Sequence, residues 1–138
     1  MARPEGAHRV RVGYVDTDAA RVVHHSTYLR YHEAARIEFL RENGFDYGRW
    51  EAETNTGLPV VEVQMRYLRP ARFDDVLTVT TRVESHRSAW VWFAHDILRG
   101  EERIHHARVR CAAVTFDGAV RRLPEALLRA ALGDEYAP

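Results

Sequence analysis

Apolar and polar residues first alternate with a period of two along this chain and then change to helical spacing. Residues 9–15 place apolar side chains on one face and arginines on the other, which predicts a half-buried strand. Residues 16–25 are polar and irregular. Ser26 or Thr27 can cap a helix that runs to Asn43, so the pattern predicts a strand, a loop and one long helix.

The predicted helix has an apolar stripe and a charged surface. The stripe recurs at helical spacing and consists of Tyr28, Tyr31, Ala35 and Phe39. Two acid–base pairs stand three residues apart and predict surface ion pairs, namely Glu33 with Arg36 and Glu38 with Arg41. A sheet is expected to cover the apolar stripe.

From Gly57 onward the period returns to two, whereas residues 45–56 are predicted to form a loop that could include a short helical turn. The predicted strands cover residues 61–67, 77–84, 90–98, 104–116 and 119–123. The dipeptide Asp117-Gly118 predicts the last hairpin. Pro124 opens a predicted terminal helix of about ten residues, a common helix length.

The order of these elements predicts an α+β fold. Only one long helix is available to cover a long antiparallel sheet, so the sheet should wrap around it. The 138 residues are the length of one domain, which we take as residues 1–138. A sheet with one covered face also tends to associate with a second copy.

Composition narrows the function classes. The formal net charge is zero, which argues against a protein that mainly holds nucleic acid or an anionic membrane. All 20 basic residues are arginine, which excludes Schiff-base or lysine-nucleophile chemistry. Cys111 is the single cysteine and is expected to be a buried hydrophobe. We see no signal peptide or membrane-spanning run, so a cytoplasmic location is the default expectation.

The candidate chemistry lies between residues 14 and 28. This segment contains two carboxylates, two adjacent histidines and a helix start. Backbone N–H groups at a helix N-terminus lack partners and carry positive partial charge, so they suit a carbonyl oxygen that becomes negative during acyl transfer. A nearby carboxylate could activate water or attack the carbonyl itself. On spacing alone, however, Asp-Thr-Asp is more typical of a turn.

The same segment resembles a known family. The run from Tyr14 to Tyr28, followed by Tyr31, Glu33, Ala34, Arg36 and Phe39, is similar to the 4-hydroxybenzoyl-CoA thioesterase family. The most similar branch is that of the acyl-CoA thioesterases associated with the Tol–Pal system. Residues 69–77 (Arg-Pro-Ala-Arg-Phe-Asp-Asp-Val-Leu) match a second hallmark of the family, and the resemblance spans roughly residues 9–130.

The resemblance implies a hotdog fold, in which a curved antiparallel sheet of five or six strands wraps one long helix. It implies a thioester hydrolase that acts on acyl-CoA or on an acyl carrier protein without a metal or redox cofactor. It also implies homodimers or homotetramers with active sites at the subunit interface. It places the essential carboxylate at Asp18, as general base or nucleophile. His25 matches a position whose backbone N–H polarises the thioester carbonyl, and Tyr14 matches a tyrosine near the acid.

Each of these residues also has a purely structural interpretation. Asp16 could be the acid instead of Asp18, although we interpret it as a hydrogen-bond acceptor that shapes the loop. His25 could simply fill an interface, but we favour a functional role for it. For Tyr14, packing in the core competes evenly with a place in the catalytic pocket.

Three further residues are candidate contacts to substrate. The family has Gly at the position of Arg21, and Arg is strained at the positive φ that Gly permits. Either the loop is rebuilt, or Arg21 contacts a carboxylate, a carbonyl or the developing oxyanion. Arg87 and Ser88 resemble the region that meets the nucleotide end of coenzyme A, and an ordinary exposed hairpin is an equally good interpretation.

The remaining patterns offer less. The eight histidines match no zinc motif, and His105 and His106 should point to opposite faces of a strand. Trp90 and Trp92 make both faces of their strand apolar, so we expect the helix on one face and a partner subunit on the other. Two rival functions are a hotdog enoyl-thioester hydratase and a non-catalytic acyl-CoA-binding module.

Overall fold

The computed structural model describes residues 3–138. In that range the helices and strands are β1 (Gly6–Arg11), α1 (Thr27–Glu42), α2 (Tyr47–Thr54), β2 (Thr56–Gly57), β3 (Val60–Tyr67), β4 (Val76–His86), β5 (Trp90–Arg99), β6 (Glu102–Ala112), β7 (Val114–Thr115) and α3 (Glu125–Leu132). None of these helices is long and apolar enough to cross a membrane.

Five of the strands form one antiparallel sheet in the order β1-β4-β5-β6-β3, while β2 pairs with β7 in a separate ribbon. Helix α1 packs along one face of the sheet, mainly against β1 and β4. Strand β3 therefore forms an edge of the sheet that lies away from the main helix contact. The predicted α+β fold, with one long helix against an antiparallel sheet, is confirmed.

The sheet face that meets α1 is apolar because alternate residues of each central strand point toward the helix. Leu77 and Val79 of β4 are completely buried there, and the predicted apolar stripe of α1 is buried against them. Gly6 permits a close approach of the helix, since a Cβ atom at this position would lie 3.0 Å from Phe39 Cδ1. This packing holds the last turn of α1 close to β1.

The first strand starts and ends earlier than the alternation predicts. β1 ends at Arg11, and the Val12 N–H donates to the Asp75 carbonyl at 2.8 Å. A short 3-10 turn then occupies Tyr14–Asp16. Tyr14 consequently leaves the sheet and is 78% exposed. The interpretation of Tyr14 as a core residue is wrong.

Two further segments differ from their predictions. Helix α2 occupies part of the predicted loop, because Asp46 accepts from the Arg49 N–H at 3.1 Å and Asn55 ends the helix in the left-handed region. The predicted strand at 119–123 is reduced to an isolated bridge between Val120 and Val114.

The outer face of the sheet is covered by the chain's own arginines. Trp90 and Trp92 are half-buried, and the guanidinium carbon of Arg108 lies 4.5 Å from the Trp92 ring centroid. Arg110 lies 5.5 Å from the Trp90 ring and 5.7 Å from the Trp92 ring. These cation–π contacts shield the indoles that we expected a partner subunit to cover.

Candidate active site

Asp18 lies at the tip of a short hairpin. Thr17 pairs with Val23, and the Asp18 N–H donates to the Val22 carbonyl at 3.0 Å. One carboxylate oxygen of Asp18 accepts from the Ala20 N–H at 2.8 Å. The side chain is exposed, and its other oxygen accepts no hydrogen bond from residues 3–138. The turn therefore orients one side of the carboxylate and leaves the other side open.

Arg21 closes this hairpin in the left-handed region, with φ at +65°. Its N–H donates to the Asp18 carbonyl at 2.9 Å, so a tight turn is followed by one left-handed residue. This is the arrangement that usually requires Gly. The alternative in which the loop is rebuilt is therefore wrong, since the loop keeps the glycine-type conformation with its strain. The other alternative, a contact between Arg21 and the substrate, stays a prediction. The Arg21 side chain is exposed and has no hydrogen-bond partner in the described part of the chain.

Asp16 has a different environment from Asp18, although only one residue separates them. Its carboxylate is buried and accepts from the Gly13 N–H at 2.9 Å, from Arg30 Nη2 at 2.6 Å and from the Tyr31 hydroxyl at 2.8 Å. Burial alone would raise the pKa of Asp16, but these hydrogen bonds outweigh it and lower the pKa below its ordinary value. These contacts support its interpretation as an acceptor that shapes the loop.

The start of α1 leaves backbone donors free. The His24 N–H donates to the Asp16 carbonyl at 2.9 Å, and the Thr27 N–H donates to the His24 carbonyl at 2.9 Å. In contrast, the N–H groups of His25 and Tyr28 have no acceptor among residues 3–138. Such free donors at a helix start carry positive partial charge and suit a developing oxyanion.

Two distant segments hold this helix start in place. The Tyr67 hydroxyl, at the end of β3, donates to the His25 carbonyl at 2.9 Å. The Val23 N–H donates to the Ala71 carbonyl at 2.8 Å. The second family motif, residues 69–77, therefore buttresses the first. Tyr67 was not singled out from the sequence, because alternation gives the face of a strand but not its long-range hydrogen bonds.

An apolar rim surrounds the hairpin. Val15 is 88% exposed and Phe73 is 50% exposed. The ring of Tyr14 packs edge-on against Phe73, with centroids 5.5 Å apart, and its hydroxyl makes no hydrogen bond to Asp18. Tyr14 is thus close to the candidate acid in the chain but forms no hydrogen bond to it.

Arg87 and Ser88 lie at the opposite end of the sheet. They follow β4, whose first residue, Val76, belongs to the segment that buttresses the hairpin. A strand of 11 residues spans about 35 Å at roughly 3.3 Å per residue. One chain alone therefore does not bring Arg87 and Ser88 to Asp18.

The middle of α1 contacts a buried histidine layer, which we define as His32, His95 and His105. All three rings are 0% exposed. Nε2 of His32 lies 3.0 Å from Nε2 of His105, so one ring donates to the other. His95 presents Nδ1 to the Thr80 carbonyl at 3.0 Å, which places a proton on Nδ1, and its Nε2 accepts from Arg36 Nη1 at 3.4 Å.

Burial keeps this layer neutral. It is the main cause that lowers the pKa of His32 to about 2, of His95 to about 3 and of His105 to about 4. The positive charge of Arg36 also lowers the pKa of His32 and His95. Residues 3–138 contain no group of three His, Cys, Asp or Glu side chains placed to share a metal ion. His106 points to the other face, as predicted, and pairs with Asp96 at 2.8 Å.

The predicted surface ion pair between Glu33 and Arg36 is wrong. Glu38 and Arg41 do pair, at 2.5 Å, but the Arg36 side chain turns inward and is 7% exposed. Arg36 lines a cavity of about 510 Å³ between α1, α2 and the β2–β7 ribbon. The sequence carries one sign of this, since Tyr28, His32 and Arg36 follow each other at intervals of four along the helix.

Comparison with known proteins identifies the family. A model of the thioesterase-like superfamily matches residues 12–131. The acyl-CoA thioester hydrolase YbgC of Escherichia coli is 37% identical over 95 residues, which are 69% of this chain and 70% of that protein. Protein TT1821 of Thermus thermophilus is 35% identical with a TM-score of 0.84, over 91% of this chain and 96% of that chain.

A solved 4-hydroxybenzoyl CoA thioesterase mutant complexed with 4-hydroxybenzoyl CoA has the same architecture. Its TM-score is 0.83 at 20% identity, over 92% of this chain and 98% of that chain. The fold is thus the hotdog fold, in which an antiparallel sheet wraps one long helix, and this prediction is confirmed. The chain belongs to the thioesterase-like superfamily.

Proposed function

We propose that this protein hydrolyses acyl-CoA thioesters, with Asp18 as the acid and the start of α1 as the oxyanion site. The observation that supports this most is the pair of free N–H groups at His25 and Tyr28, on the same loop-and-helix unit as an exposed carboxylate. The names of the relatives support an acyl-CoA substrate. An acyl carrier protein is the alternative carrier.

In this mechanism the thioester carbonyl oxygen accepts from the free N–H groups at the helix start. Asp18 removes a proton from water, and the water oxygen attacks the carbonyl carbon. The tetrahedral intermediate collapses, the carbon–sulfur bond breaks, and the coenzyme A thiolate takes up a proton. Direct attack by Asp18, followed by hydrolysis of the resulting anhydride, leads to the same products.

We further propose that the working unit is a homodimer or homotetramer. Strand β3 is an edge strand with exposed apolar residues such as Val60 and Val61, and the rim at Val15 and Phe73 is exposed as well. Edges and apolar patches of this kind favour a second copy. A second copy is also the simplest way to bring Arg87 and Ser88 to a coenzyme A whose thioester lies at Asp18.

The same proposal includes the extent of the domain, the location of the protein and its branch of the family. Residues 1–138 form one thioesterase domain, the location is cytoplasmic, and the branch is that of the Tol–Pal-associated thioesterases. The similarity to acyl-CoA thioesterases named YbgC from several bacteria supports the thioesterase activity, while the branch rests on the resemblance of residues 14–39 and 69–77.

The test is to replace Asp18 by Asn, which keeps the shape and removes the base. We expect thiol release from a panel of acyl-CoAs to fall by about 10²–10⁴-fold, the usual contribution of a general base, with unchanged thermal stability. Asp134→Asn, at an exposed position, is the matched control.

Full activity in Asp18→Asn would contradict the assignment of the acid. Addition of water to crotonyl-CoA without thiol release would favour the hydratase instead. Tight acyl-CoA binding with no turnover by the wild type would favour the binding module.

A further inference from the structure

Arg36 is a buried cation with unused hydrogen-bond donors. A guanidinium has five N–H donors, and the Arg36 side chain makes one hydrogen bond among residues 3–138, the long one to His95. No carboxylate oxygen of the described residues lies within 4.0 Å of it, which is unusual for so deeply buried a charge. Burial lowers the pKa of Arg36, but an arginine remains charged at neutral pH.

The free donors of Arg36 face a cavity. The side-chain nitrogens that are fully buried and have no hydrogen-bond partner include Nε of Arg110 but no nitrogen of Arg36. The Arg36 nitrogens that make no hydrogen bond are therefore accessible. Arg36 lines both the cavity of about 510 Å³ and a smaller one of about 140 Å³. A group that enters this space can accept hydrogen bonds from the guanidinium.

The two cavities share lining residues along α1, and we define them together as the groove. The smaller cavity begins at Leu29 and Val63, and it shares Glu33, Arg36 and Val60 with the larger one. Leu29 lies in the first turn of α1, two residues after Thr27, and the Tyr67 hydroxyl donates to the His25 carbonyl just before this turn. The groove thus runs along α1 from Leu29, close to the candidate oxyanion site in the chain, to Arg36, which lines both cavities.

The length of this groove sets the size of a suitable acyl group. Arg36 lies nine residues after Thr27, which corresponds to about 13 Å along the helix axis. Its side chain leans back toward the helix start, which shortens the distance. A medium-length acyl chain whose thioester lies at the helix start therefore ends near the guanidinium.

We propose that Arg36 is a specificity-determining residue, which recognises an oxygen atom at the far end of a medium-length acyl chain. This rests on the proposed thioesterase function. The preferred substrates are acyl thioesters that carry a carboxylate or a hydroxyl group at that end. The oxygen accepts hydrogen bonds from Arg36, while the chain contacts the apolar side chains of Leu29, Val60 and Val63.

Carboxylates on the cavity wall influence whether a terminal hydroxyl or a terminal carboxylate binds better near Arg36. Glu33 is exposed and Glu51 is half-buried, and both line the larger cavity. A terminal hydroxyl can accept from Arg36 and donate to one of these carboxylates. A terminal carboxylate interacts more strongly with Arg36 but is repelled by the two glutamates, whose charges solvent partly screens. Both groups share the acceptor oxygen that defines the proposal.

The experiment compares octanoyl-CoA with its ω-hydroxy and ω-carboxy forms. For the wild type we expect kcat/KM to be at least about tenfold higher for one or both oxygenated substrates than for octanoyl-CoA, because a site built around buried donors discriminates against a chain that leaves them unpaired. In Arg36→Met, which keeps the side-chain length without donors, this ratio should fall to about one. Arg41→Met, on the solvent side of α1, is the matched control.

The outcomes separate this inference from the proposed function. Thiol release that is absent for every acyl-CoA contradicts the proposed function. Thiol release with no preference in the wild type, or with a preference that survives in Arg36→Met, overturns the role of Arg36. If Arg36→Met does not fold, Arg36→Lys provides the test, because a point charge lacks the guanidinium fork and should lower the ratio. An unchanged ratio in Arg36→Lys also overturns it.

Discussion

Helix α1 contacts buried titratable groups in two regions, its first turn and its middle. The group at the first turn is charged, whereas the groups at the middle are neutral. At its first turn, Asp16 is buried as a charge and accepts from the Gly13 N–H, Arg30 and Tyr31. At its middle, the buried histidine layer consists of titratable rings that burial holds neutral. The Asp16 carboxylate keeps its charge because these donors compensate its desolvation, whereas the buried rings beside the Arg36 cation stay neutral.

This difference assigns each region its own pH range. A histidine with a lowered pKa costs stability once the unfolded chain begins to take up protons, which happens below about pH 6.5. The carboxylate of Asp16 stabilises the fold above its ordinary pKa of 3.8, and that contribution is lost as the pH falls below this value. The helix middle should therefore fail first on acidification, well before the first turn.

The largest expected effect is acid destabilisation through the histidine layer. As the pH falls from 6.5 toward 4, the unfolded chain binds protons at His32, His95 and His105 that the folded chain excludes. Each ring lowers the free energy of unfolding by up to about 1.4 kcal/mol per pH unit, so the three together amount to several kcal/mol. This slope, the change in the free energy of unfolding with pH, is measured by urea denaturation at half-unit pH steps between 7.5 and about 4.5.

The double variant His32→Phe/His105→Phe should reduce the slope, because it removes two of the three rings and keeps an aromatic contact with Tyr28. His86→Gln, at the end of β4 outside the layer, should leave it unchanged. An equal slope in wild type and double variant would place the acid sensitivity elsewhere.

The second largest expected effect is a loss of stability when the Asp16 contacts at the first turn of α1 are removed. Asp16→Asn leaves the Gly13 N–H, Arg30 and Tyr31 without a charged acceptor, and we expect it to lower the free energy of unfolding at pH 7 by about 2–4 kcal/mol. Tyr31→Phe removes one buried hydrogen bond and should cost about 1 kcal/mol. Arg30→Met should cost less, because the Arg30 side chain is 64% exposed and its ion pair is solvent-screened. A loss below 1 kcal/mol in Asp16→Asn would show that the charge is not needed there.

The two regions also differ in how far the sequence predicts them. The loop and helix start carry a family motif, so the resemblance predicts Asp18 and His25 as site residues and leaves Asp16 as a residue that shapes the loop. The apolar period of two likewise predicts the sheet, because burial of one face imposes alternation. The histidine layer has no such sign, since His32, His95 and His105 come from three separate elements and meet only through tertiary packing. Arg36 was predicted on the surface because spacing within a helix favours an ion pair, whereas contacts across the sheet decide where the side chain points.

The smallest expected effect concerns strain at the tip of the first-turn region, where Asp16 holds the base of the loop and Arg21 closes its end. A non-Gly residue in the left-handed region costs roughly 1–2 kcal/mol, and Gly offsets part of that gain through its entropy in the unfolded chain. Arg21→Gly should therefore raise the free energy of unfolding by about 0.5–1 kcal/mol and leave the acid slope unchanged. Arg21→Ala keeps the strain and removes the guanidinium, so a loss of turnover shared by both variants would mean that Arg21 contacts the substrate. A loss of turnover in Arg21→Gly but not in Arg21→Ala would mean that the rigid loop positions Asp18. A lower free energy of unfolding in Arg21→Gly would show that Arg21 is not strained.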